Sequence, residues 1–147
     1  MYDMHNGHTW TWAAQGTLTN TGSPNQVTSG AIDLQGAVAV EVLALIGSID
    51  ELGSSPVGTA KADLVLYDSD DGVTFAVVDA VDVVVDSSVT VAAGVVATST
   101  GKFDTLKAGY RGDKRYIQAA LVGTGLTNGG PVAIGVLTRD RHSGVPT

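Results

Sequence analysis

The stretch Ala62-Asp63-Leu64-Val65-Leu66-Tyr67-Asp68-Ser69-Asp70-Asp71-Gly72-Val73-Thr74-Phe75-Ala76-Val77-Val78 decides the fold class. An apolar, β-prone run at 62–67 meets a knot of Asp, Ser and Gly at 68–72, and a second β-prone run returns at 73–78. Asp and Gly tolerate the left-handed backbone that reverses a chain tightly, so the pattern predicts a β-hairpin and not a helix. Working upstream, Ala37-Val38-Ala39-Val40-Glu41-Val42-Leu43-Ala44-Leu45-Ile46 reads as a largely buried strand stopped by Gly47-Ser48. Residues 50–58, with Gly53, Pro56 and Gly58, read as a turn-rich connection. Downstream, 81–85 and 89–97 are further β-branched runs. Residues 114–122 form another strand, with Tyr116, Gln118, Ala120 and Val122 on one face and Ile117, Ala119 and Leu121 on the other. A Gly- and Asn-rich turn at 123–130 leads into a final strand at 131–138.

About seven to nine short strands at this spacing predict an all-β fold, a two-sheet antiparallel β-sandwich or jelly roll. No internal repeat or helical periodicity is present. The expected division is an N-terminal arm or irregular segment at 1–30, a sandwich domain at 31–142 and a short polar tail at 143–147. The arm is unusual. It opens with two Met, two His, a Tyr and both tryptophans, Trp10 and Trp12, then turns into Thr, Asn, Gly, Ser and Gln with Pro24. Large aromatics near a terminus are costly to leave wet, so they should dock, either on the chain's own sandwich or on a neighbouring subunit.

Composition supports this reading and excludes others. The 147 residues suit one domain; apolar residues make up 44%, charged residues only 16%, and there are 19 glycines. The net charge is −7, from 15 acidic against 8 basic residues, which argues against a nucleic-acid partner needing a basic face. Seven of the eight cations lie from Lys102 onward, while most acids precede it, a split that could orient the molecule on a partner. With no cysteine, disulfides, thiolate metal sites and Cys nucleophiles are excluded. No apolar stretch reaches transmembrane length and no secretory signal pattern is visible, so folding in a cytoplasm, without a membrane partner, is expected.

No constellation supports catalysis. The acids of the 68–72 turn open like a calcium loop, but the twelfth position holds Asp79 and strand-like residues intervene, so a hairpin turn is the reading. Asp79, Asp82 and Asp86 lack a neighbouring His or Lys and read as solvent-facing acids that discourage edge pairing. His5 and His8 have a spacing seen in metal sites, but with His142 far off no third ligand is evident. No cofactor or metal is expected. The segment Gly109-Tyr110-Arg111-Gly112-Asp113-Lys114-Arg115-Tyr116-Ile117-Gln118 has two readings. Its Arg, Lys and Tyr either cover apolar surface and fill the core, or form an interface patch. The protein-interface candidates are therefore His8, Trp10, Trp12, Tyr110, Arg111, Lys114 and Arg115.

Three segments carry a resemblance: Ile32-Asp33-Leu34-Gln35-Gly36, Leu66-Tyr67-Asp68-Ser69-Asp70-Asp71-Gly72-Val73-Thr74-Phe75, and the Gly109 to Ile117 segment just quoted. Over residues 30–142 the chain resembles the small head decoration, or cement, proteins encoded near the major capsid protein of tailed bacteriophages. The Asp-Gly hairpin alone also resembles turns in discoidin-type carbohydrate-binding sandwiches. The phage resemblance implies a non-enzymatic virion protein, made in the host cytoplasm and placed on the outside of the head. Its partners would be the major capsid protein and neighbouring copies, in trimers or dimers. On that reading the arm supplies contacts, and removing residues 1–16 leaves a folded domain. The alternatives are a head-completion or tail protein, and a carbohydrate-binding module.

Overall fold

Alternation along the strands decides which side chains meet. The computed structural model describes residues 8–19, 25–53 and 60–140. Among them lie β1 (His8–Leu18), β2 (Gln26–Thr28), β3 (Ile32–Asp33), β4 (Ala37–Ile46), β5 (Lys61–Ser69) and β6 (Ala76–Val77). A 3-10 turn at Ala80–Asp82 precedes β7 (Val83–Val84), β8 (Val95–Ser99), β9 (Thr105–Tyr110), β10 (Tyr116–Thr124) and β11 (Gly130–Asp140). The first sheet runs β1-β11-β4-β9-β7, and the second runs β2-β10-β5-β6, with β3 also on β10 and β8 also on β5. All pairings are antiparallel, and the fold is the expected all-β, two-sheet sandwich.

Every second residue of the long strands enters the space between the sheets. The first sheet contributes Val40, Val42, Ala44 and Ile46 from β4, Leu106, Ala108 and Tyr110 from β9, and Val132, Ile134 and Val136 from β11. The second contributes Ala62, Leu64 and Leu66 from β5 and Ile117, Ala119 and Leu121 from β10. Ile49, Leu52, Leu126 and Leu18 are also fully buried. Each such aliphatic side chain stabilises the fold by roughly 1.5–3 kcal/mol.

The N-terminal arm expected at 1–30 is a correction. Residues 8–18 form a strand that pairs with β11 along its length, from His8 opposite Arg139 to Leu18 opposite Gly130. The stretch Thr9 to Trp12 alternates Thr and Trp, both good strand formers, and β11 offers an edge long enough to take it. Short strands at 26–28 and 32–33 then cross to the second sheet. Residues 1–7, 20–24, 54–59 and 141–147, hence Pro24, Pro56, His5, His142 and the tail, lie outside the described residues. Removal of residues 1–16, expected to leave a folded domain, would take away most of β1, the strand that flanks β11 in the first sheet.

Three other strands differ from their expected form. The returning run at 73–78 pairs only through Ala76–Val77. The Asp71 carboxylate accepts the backbone N–H groups of Val73 and Thr74, which folds that part into a broad turn. In 89–97 the ladder starts only at Val95, after Ala93 and Gly94 reverse the chain with φ of 49° and 76°. Residues 105–110, unassigned by the sequence reading, form β9, whose Leu106, Ala108 and Tyr110 point inward.

Candidate functional site

The outer face of the first sheet is where the sequence-predicted tryptophans lie. Trp10 is opposite Leu137 and Trp12 opposite Gly135, so both share the face that β11 turns away from the core. Gly135 lacks a side chain, and the Trp10 indole fills its place; a Cβ there would overlap the ring. Trp12 meets Trp10 edge-on, with ring centroids 5.2 Å apart and planes at 89°. Trp12 is 61% exposed, against 39% for Trp10. On the same face, Leu43 is opposite Gly135, Leu45 opposite Ala133, and Glu41 opposite Leu137. Leu45 is 39% exposed, and Leu43 and Leu137 are half-buried.

Two open grooves flank this apolar strip. One, of about 540 Å³, is lined by Glu41, Val84, Asp86, Lys107, Leu137 and Arg139, so charge of both signs borders it. The other, of about 570 Å³, lies between Gln15, Leu45, Pro131 and Ala133. The strip runs across three strands, β1, β11 and β4. It has no paired nucleophile and base.

The basic segment is tied into the chain. Tyr110 is buried, and its hydroxyl donates to Asp68 at 3.1 Å while accepting the Lys114 N–H at 3.3 Å. Gly112 packs so tightly on that tyrosine that any Cβ would overlap the ring. Arg111 donates through Nε to the Val81 carbonyl at 2.7 Å. Lys114 pairs with Asp70 at 2.6 Å. Arg115 grips Asp33 with two hydrogen bonds, reaches Gln35 at 3.0 Å, and lies 5.0 Å from the Tyr116 ring centroid. The Arg115 hydrogen bond, then the Gln35 N–H, hold the Asp33 carboxyl below its usual range, and the Asp70 hydrogen bond raises the Lys114 ammonium. These contacts join 32–36, 66–75 and 109–117 at one end of the sandwich.

The acids of the 68–72 turn are engaged as well. Asp71 accepts two backbone N–H groups and the Ser69 hydroxyl, which keeps its carboxyl well below the ordinary range. Asp68 continues the inward series of β5, and burial raises its carboxyl despite the Tyr110 hydrogen bond. Among the described residues no group of His, Asp and Glu is arranged to hold a metal ion. His8 opens β1 opposite Arg139.

Sequence reasoning missed Leu43, Leu45 and Leu137 as members of the strip, having read 37–46 as largely buried, and missed Gly135 as the seat of the Trp10 indole. The usable signal was the Trp-x-Trp spacing, which sets both indoles on one face of any strand. It also missed Glu51, whose Oε1 accepts the N–H groups of Thr127, Asn128 and Gly129 and clamps two loops.

No protein-family model matches the chain, and no curated protein matches it. Among solved structures it is similar to the crystallographic structure of the Clostridium thermocellum endo-1,4-β-D-xylanase 10B CBM22-1–GH10 modules complexed with xylohexaose. The identity is 13% and the TM-score 0.41; the match covers 96% of this chain but only 27% of that one. At that score the likeness bears on neither family nor ligand.

Proposed function

We propose that the protein is a non-catalytic structural module that binds a repeating protein surface through the outer face of its first sheet, as a decoration protein of a phage head. One observation carries the proposal: the face bearing Trp10, Trp12, Leu43, Leu45 and Leu137 is apolar, continuous and without a covering element among the described residues. Aromatic side chains surrounded by aliphatic ones are the composition of interface centres. The phage resemblance adds the kind of partner. Its three segments meet through Asp33–Arg115, Asp70–Lys114 and Asp68–Tyr110, so they form one structural unit. A shell presents many equivalent sites, and avidity among tethered copies makes modest single contacts sufficient.

The test is co-sedimentation of the purified protein with capsid shells that lack it. Saturation at a fixed ratio to the major capsid protein supports the proposal, and no binding to expanded shells removes it. A second reading, a carbohydrate-binding module, is favoured by the exposed Trp12 ring, which offers a stacking surface. Glycan-array binding lost in Trp12→Ala, without shell binding, would select it.

A further inference from the structure

Five of the chain's eight Lys and Arg residues border two grooves that run into each other. The first, of about 540 Å³, carries Lys107 and Arg139; the second, of about 600 Å³, carries Arg111, Lys114 and Arg115. Ala39, Val40, Val84 and Gly109 line both, so the two make one trough over β4, β9 and β7. Its floor is low because Ala39, opposite Arg139, and Gly109, opposite Glu41, put little or no side chain on that face. Three of the fifteen acids, Glu41, Asp86 and Asp113, share the trough. Its cations are unequally engaged. Lys114 and Arg115 hold Asp70 and Asp33. Arg111 uses Nε on the Val81 carbonyl, and its terminal nitrogens have no partner among the described residues. Lys107 and Arg139 are exposed, with no carboxylate at ion-pair distance among the described residues. Asp86, the acid beside Lys107, is already held by the Ser88 N–H and hydroxyl.

We propose that this trough binds an extended acidic segment of a partner polypeptide, its carboxylates on Lys107, Arg111 and Arg139. Charge complementarity selects the occupant. On a chain of net charge −7, a concave surface with more cations than acids is where an anionic group is drawn in. The free guanidinium forks of Arg111 and Arg139 match the two oxygens of a carboxylate. Glu41 and Asp113 stand in the same trough and repel a polymer charged at every unit, such as a phosphodiester or a sulfated glycan. A polypeptide can set acids against the cations and keep neutral residues beside those two carboxylates. Val38 and Val84, 51% and 55% exposed, line the second groove and suit the apolar side chains of such a segment. The inference goes beyond the shell-binding reading and does not depend on it.

Fluorescence anisotropy of the full chain with a labelled peptide of about ten residues, alternating Glu and Val, tests it. Binding should saturate below about 1 mM and weaken as salt rises from about 0.05 to 0.5 M. Lys107→Glu and Arg139→Glu should each weaken it about tenfold or more. Lys102→Glu, which changes the net charge equally from outside the trough, should bind the peptide like wild type, and so should Trp12→Ala. Absence of saturable binding overturns the proposal, as does an equal loss in Lys102→Glu. Tighter binding of an oligo(dT) or a heparin fragment of similar length also overturns it, and makes the trough a polyanion site. Should a variant fail to fold, amide exchange of the wild type with the peptide decides. Protection must appear at 38–41, 83–86 and 107–112; protection only elsewhere contradicts the trough.

Discussion

The indole of Trp10 occupies the space that a side chain at Gly135 would fill, two residues along the neighbouring strand from its own partner Leu137. This lock explains why an aromatic-rich N-terminal segment is a strand of the sandwich. It also fixes the orientation in which Trp12 is left exposed.

Gly135→Ala should therefore displace the Trp10 ring and destabilise the fold by about 1–3 kcal/mol, the usual cost of overpacking. Intrinsic fluorescence should shift to the red as the indole is wetted. In a double-mutant cycle Trp10→Ala should recover part of the loss in Gly135→Ala; strict additivity would mean that the two positions do not interact.

Removing residues 1–18 should give an aggregating protein, because it takes away buried Leu18 and leaves the full length of β11 as an unpaired edge. Soluble yield and light scattering read this directly. A soluble, monomeric truncation with an unchanged melting temperature would contradict the role assigned to β1.

Asp68 gives a pH dependence of defined sign. Burial raises its carboxyl in the folded state above the ordinary 3.8. Its contribution to stability is therefore full below that value and is lost as pH rises through the raised folded value. Asp68→Asn abolishes the titration, so the stability of wild type relative to this variant should fall as pH rises from about 3 to 7. Chemical denaturation at several pH values measures it, and a rising difference would reverse the assignment.

Glu51 and Asp33 act in the opposite direction. The Asn128 N–H above all lowers the Glu51 carboxyl from 4.5, and Arg115 above all lowers Asp33 from 3.8. Their contributions are present above those values and lost as pH falls through the lowered folded ones. Glu51→Gln should lower the melting temperature at neutral pH more than in acid. Amide exchange at Thr127, Asn128 and Gly129 should quicken in the same variant.

The sandwich was legible where alternation or an apolar run met a turn cluster, as at 37–46, 114–122 and 131–138. It was obscured where side chains compete with the ladder. Asp71 draws Val73 and Thr74 into a turn, and a hairpin that looks symmetrical in sequence keeps only two paired residues on its returning side. β1 was hidden by its polar sequel at 19–30, whose Thr, Asn, Gly, Ser and Gln give the whole stretch the composition of an arm. The tryptophans were expected to dock; Trp10 packs over Gly135 while Trp12 stays 61% exposed, and their neighbours across β11 and β4 become visible only through strand register. Arg111, Lys114 and Arg115 are a different case. Composition left them two readings, cover for the sandwich or an interface patch, and the fold gives each an intramolecular partner.

Shell co-sedimentation with two variants tests the central claim most directly. Trp12→Ala should lower affinity for capsid shells at least tenfold, the loss of more than 1 kcal/mol expected when an aromatic anchor is truncated. Lys114→Ala, in the basic segment 109–117, should bind like wild type at the same saturating ratio. Equal binding by all three proteins, or loss only in Lys114→Ala, would contradict an interface on the outer face of the first sheet.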